Sequence, residues 1–128
     1  MSYTVIRPED QVFKTPSWRP DDPARTIVEL PALTELRHSR CHLWRYPPGA
    51  SGHRHKQVAQ EEVFVVLEGT FTIELGDPAE TFELPPRSLV VVGPGTPILL
   101  QNRSSEEAVA FIYGAPADRE VDVLEKMW

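Results

Sequence analysis

Two imidazoles, an amide and a carboxylate stand close together in this chain as His53, His55, Gln57 and Glu62. Residues two apart on a strand share a face, so His53, His55 and Gln57 are expected to point the same way. Glu62 opens the next apolar run and can meet them from a neighbouring strand. Imidazole with carboxylate is a ligand set for one iron, manganese, nickel or zinc ion. His53, His55 and Glu62 would form a two-histidine, one-carboxylate triad with positions left open for oxygen and substrate. Without a metal, His55 and Glu62 form an acid and base pair, because a closed interior moves both pKa values towards neutrality. A bare His-x-His pair is more often a surface or satisfied core pair than a ligand pair. His42 is a singleton that could face the same interior. Gln57, Arg45 and His55 are the polar anchors expected of a small-molecule pocket. Cys41 is the single cysteine, which excludes an internal disulfide and a cysteine-rich zinc site, and on a strand it reads as a small core residue.

These residues need strands to position them. The segment 7–25 carries Pro8, Pro16, Pro20 and Pro23 among polar residues and reads as an extended arm. Strands are expected at 26–30 and 41–46, where β-branched and aromatic residues interleave with polar ones. The run 63–67 is apolar on both faces, as in a strand covered on each side. Residues 70–75 alternate, with Phe71, Ile73 and Leu75 on one face, and 81–84 repeats the pattern through Phe82 and Leu84. Further strands fall at 88–92, 98–101 and 109–113, separated by Gly/Pro turns or a polar loop. Residues 117–128 read as a helix, from the spacing of Val121, Leu124 and Trp128 and the acidic first turn. The expected architecture is all-β: an arm over 1–25, a small sandwich or barrel over 26–116 and a C-terminal helix over 117–128. In such a barrel Trp44, Tyr46, Phe64 and Phe71 either fill the core or line a pocket.

The composition agrees with one domain: 128 residues, 41% hydrophobic and 25% charged. Nineteen acidic residues against 13 lysines and arginines give a net charge of -6, which repels nucleic acid and an anionic membrane surface. No apolar stretch approaches a membrane span, and residues 1–10 have no signal-like apolar core, so a cytoplasmic protein is expected.

The stretch Glu61-Glu62-Val63-Phe64-Val65-Val66-Leu67-Glu68-Gly69 resembles the cupin superfamily, and the resemblance spans residues 43–114. The first cupin motif is Gly, five residues, His-x-His, three or four residues, Glu, six residues, Gly. Glu62 and Gly69 match its second half, and Gly95 and Asn102 match the second motif. Two registers fit the first half. Aligning the histidines uses His53 and His55, whereas ungapped spacing from Gly49 places the two ligand slots on His55 and Gln57. In the second motif the histidine position is Ile98, beside the expected site, and the leading glycine is Arg87. The resemblance implies a cupin double-stranded β-helix, a small jelly-roll barrel, and pairing into a homodimer through the arm.

Three functions fit these residues. One is a metal-dependent enzyme, dioxygenase-like, with the metal on His53, His55 and Glu62. Another is a metal-free barrel that binds a small molecule, as Ile98 favours. The third is a metal-independent isomerase or cyclase using His55 and Glu62.

Overall fold

The computed structural model describes residues 2–19, 24–117 and 121–124. Alternation of inward apolar and outward polar residues builds two five-stranded antiparallel sheets, which is the expected all-β jelly roll. The first has the order β1-β2-β9-β4-β7 and is made of Thr26–Glu29 (β1), Arg40–Tyr46 (β2), Ala108–Ala115 (β9), Glu61–Glu68 (β4) and Leu89–Val92 (β7). The second has the order β10-β3-β8-β5-β6. It is made of Val121–Val123 (β10), His55–Gln57 (β3), Ile98–Gln101 (β8), Phe71–Leu75 (β5) and Glu80–Leu84 (β6). Among the described residues no helix is long and apolar enough to cross a membrane.

The sheets enclose a core in which Phe71 and Ile73 are fully buried, with Ile27, Tyr46, Val66 and Leu100 packed around them. Each such side chain contributes about 1.5–3 kcal/mol of burial. Cys41 is buried as expected. The inner face of β9 carries small residues at Ala108, Ala110 and Gly114, opposite the bulky Tyr46, Trp44 and Arg40 of β2, with Ile112 as its one large inward side chain. Small against large across a ladder is what lets aromatic rings fill one end of the barrel and leaves space at the other.

Two devices fix the ends of the strands. Gly69 turns β4 into β5 at φ +68, where a Cβ would strike the backbone of Glu107 and Ala108. Asn102, 1% exposed, ties the loop after β8 to the end of β2. Its Nδ2 donates to the Tyr46 carbonyl at 2.9 Å and the Glu106 carbonyl at 2.7 Å, while its Oδ1 accepts from the Ser104 amide and hydroxyl.

Three expectations are corrected. The helix over 117–128 is replaced, in its described part, by β10, which pairs antiparallel with β3 through Val121↔Gln57 and Val123↔His55; residues 118–120 and 125–128 lie outside the described residues. The β4 run is covered on one face only. Phe64 and Val66 are buried, Val63 and Val65 half-buried and Leu67 exposed. Phe82 on β6 is exposed, although Leu84 is buried. The arm is mostly extended. It makes one 3₁₀ turn at Pro8–Asp10 and then an antiparallel bridge between Lys14 and Ile27, which lays it beside β1. Pro20 and Pro23 lie outside the described residues.

Candidate functional site

A cavity of about 350 Å³ occupies the end of the barrel that holds its inward polar side chains among apolar ones. On the first sheet, Arg40, Gly114 and Glu62 form one row across β2, β9 and β4, with His42, Ile112 and Phe64 in the row below. Gly114 is required here because the Gln60 side chain crosses it so closely that a Cβ would overlap Gln60. Gln60 in turn donates from Nε2 to the Pro116 carbonyl at 2.8 Å. The second sheet contributes His55 and Gln57 from β3, with Ile98 directly opposite His55 on β8. The Gly95 amide donates to the Gln57 carbonyl at 2.9 Å, so the turn before β8 also holds β3 in place.

His55, Gln57, Glu62 and Ile98 therefore meet in one cavity, as the strand periodicity predicts. His53 also borders it, but from the loop ahead of β3, where its Nε2 accepts a hydrogen bond from Arg19 Nη1 at 2.8 Å. Arg45 is a correction, because it points out of the barrel. Its Nε lies 3.2 Å from Glu107 Oε1 and its guanidinium stacks 3.8 Å above the Phe13 ring. The parity that sends His42, Trp44 and Tyr46 inward sends Arg45 outward. Trp44, Tyr46 and Phe64 line the cavity, whereas Phe71 is core.

Sequence reasoning missed the arginines. Arg40 was within reach of the same β2 alternation. Arg19 and Arg25 were not, since they arrive on the arm and no periodicity marks them. Arg25 is buried, donates from Nη1 to the Tyr46 hydroxyl at 3.1 Å and lies 4.7 Å from the Trp44 ring centroid. Trp18, also on the arm, closes the cavity edge-on against His42 and Trp44, with ring centroids 5.6 and 6.1 Å apart.

The two candidate acid–base groups are shifted in opposite directions. Burial pushes the Glu62 carboxyl up to about 7, with the Gln57 side-chain amide and the Arg40 charge holding it back. Burial pushes the His55 imidazole below its ordinary value. Its hydrogen bond to the His53 carbonyl opposes that shift, and the charges of Arg25 and Arg19 add to it. The His55 Nδ1 donates to that carbonyl at 2.8 Å, which leaves Nε2 as the nitrogen with a lone pair for the cavity. Glu62 Oε1 and Gln57 Oε1 are both buried with no hydrogen-bond partner. An orphaned buried acceptor is costly, and a ligand that supplies donors removes the cost.

The donor set does not fit a metal centre. Among the described residues no three His, Cys, Asp or Glu side chains come together to hold an ion. His53 spends its Nε2 lone pair on Arg19, and the two remaining slots of the cupin motifs hold Gln57, which offers only a neutral amide oxygen in place of an imidazole, and Ile98, which offers no donor.

A jelly roll packed at one end and open at the other as a largely apolar cavity with a few polar groups is the architecture of a small ligand-holding barrel. Residues 42–113, more than half of the chain, match the cupin domain model. The chain belongs to the cupin family. Its fold is shared with the polyketide cyclase RemF from Streptomyces resistomycificus, at a TM-score of 0.81 and 15% identity over 98% of this chain and 88% of that one. KdgF from Halomonas sp. aligns with a TM-score of 0.74 and 14% identity over 90% of this chain and 96% of that one. A sugar phosphate isomerase of the cupin superfamily from Silicibacter pomeroyi aligns at 0.73 and 19% identity over 88% and 75% of the two chains. At these identities the likeness is one of fold. No curated protein matches the chain.

Proposed function

We propose that this cupin is a metal-independent enzyme that moves a proton on a small carbonyl compound, in an isomerisation or cyclisation, with His55 and Glu62 as the catalytic pair. The observation that carries this reading is Glu62: buried in the cavity wall, with Oε1 unpartnered and its pKa raised to about 7. At neutral pH such a carboxyl is present in both protonation states, the condition for efficient general acid–base work. His55 is held neutral with Nε2 open. Its lone pair takes a proton from the carbon beside the carbonyl while protonated Glu62 gives one to the carbonyl oxygen, so the enol forms without net charge. Return of a proton at another carbon completes an isomerisation, and attack of the enol carbon on a second carbonyl completes a ring closure. Isomerase and cyclase are also the activities named for two of the structural neighbours.

The test is hydrogen exchange. A panel of carbonyl compounds incubated with the protein in deuterated water is expected to lose α-proton signals in NMR. Glu62→Gln and His55→Ala should each lower the exchange rate by at least about 100-fold. Ligand binding that survives Glu62→Gln with no exchange by the wild type would instead make the barrel a binding module.

A further inference from the structure

The cavity is bordered by both cationic and acceptor groups. Three guanidinium groups border it: Arg19, carried in beside Trp18, Arg25 against Trp44 and Tyr46, and Arg40 from β2. Arg19 has five N–H donors in a planar fork and gives one to His53, an acceptor that carries no charge when neutral. The cavity groups without partners are acceptors, Gln57 Oε1 and Glu62 Oε1, on residues only 6% and 7% exposed. Flat and apolar surfaces also border the cavity: Trp18, Trp44 and Tyr46 in successive edge-to-face contact, with Phe64 and Ile112 on the same sheet face as Trp44 and Ile98 on the other sheet.

We propose that the cavity takes an aromatic carboxylate bearing a hydroxyl group, with the carboxylate on Arg19, the ring along the tryptophan wall and the hydroxyl donating to Gln57 Oε1. This names the ligand class for the site just described and rests on that reading only for the location of the chemistry. A planar carboxylate matches the guanidinium fork in two parallel hydrogen bonds. A hydroxyl satisfies an orphaned acceptor that an unsubstituted ring would leave buried and unpaired. A cavity of about 350 Å³ is at the small end of ligand sites and admits a molecule of this size. The positive charge that a cupin motif usually gathers as a metal is here part of the chain.

Calorimetric titration of the full chain with 4-hydroxybenzoate, 4-hydroxybenzyl alcohol and benzoate tests the proposal. The hydroxy acid is expected to bind about tenfold more tightly than either the neutral alcohol or the acid lacking the hydroxyl. Arg19→Gln should bring the hydroxy acid down to the alcohol, with Arg19→Lys intermediate. Gln57→Leu should bring it down to benzoate without affecting benzoate itself. Equal affinity for acid and alcohol, an Arg19→Gln variant that still prefers the acid, or no binding of 4-hydroxybenzoate would each overturn it. Selective binding with no hydrogen exchange on any carbonyl compound keeps this inference and ends the proton-transfer reading. Exchange with no preference for the acid does the reverse.

Discussion

Burying the Glu62 carboxyl moves its pKa from 4.5 to about 7, so between those values the folded chain holds a proton that the unfolded chain has released. Stability therefore falls as pH rises through that window, by about 3 kcal/mol across the whole of it. Glu62→Gln keeps the shape and removes the titration. It is expected to melt several degrees above the wild type at pH 8, with the gap closing as the pH falls to 4.5, as thermal scans at the two pH values would show. His55 acts with the opposite sign. Its pKa is lowered in the fold, so its contribution is complete above 6.5 and is lost as the pH drops below that value, where the unfolded chain takes up the proton first. His55→Gln should accordingly flatten the acid side of the stability profile. His55 was legible from spacing, because a two-residue period fixes a face whatever the strand's neighbours are, and Glu62 from its place at the head of the next strand and its match to the cupin motif. Arg45 shows the limit of reading residue type without parity, and Arg19 the limit of parity itself, since an arm has none.

The strands were legible where alternation or an apolar run extended over four residues or more, and less so where neither did. Val121, Asp122 and Val123 fit a strand, and Val121 with Leu124 fits a helix turn; a segment this short satisfies both periods. What decides is the open edge of β3, which accepts Val121–Val123 as a partner and so gives the site strand a neighbour on each side. A single sequence does not display that edge. The same sheet geometry makes Gly114→Ala disruptive. The new methyl overlaps Gln60, whose amide is pinned to Pro116, and a loss of about 1–3 kcal/mol is expected in urea unfolding. Adding Gln60→Ala should recover part of that loss, and a strictly additive double variant would disprove the contact. Asn102→Ala removes four hydrogen bonds from a buried site and should destabilise by about 2–4 kcal/mol without altering the cavity.

At the scale of the molecule, the cupin barrel was legible from the nine residues ending at Gly69, whereas the wall that the arm adds to its cavity was not. The bridge between Lys14 and Ile27 anchors that arm, and Trp18 and Arg19 beyond it border the cavity. A chain beginning at residue 20 is expected to keep its melting transition and to lose at least about tenfold in affinity for 4-hydroxybenzoate. Light scattering of the two chains reads the pairing expected of the arm: a dimer for the full chain and a monomer for the shortened one. A full chain that scatters as a monomer would end that expectation.

The row Arg40, Gly114, Glu62 also bears on how the chain must find its partners while folding. Three of the four residues of β9 that face inward, Ala108, Ala110 and Gly114, are small, and Phe111 and Tyr113 beside them face outward. A slip of β9 by one position would exchange the two sets and drive two rings into the barrel. Such a molecule would keep its sheets and have its vestibule plugged from within, so the vacancy at the heart of this protein depends on the accuracy of a single pairing.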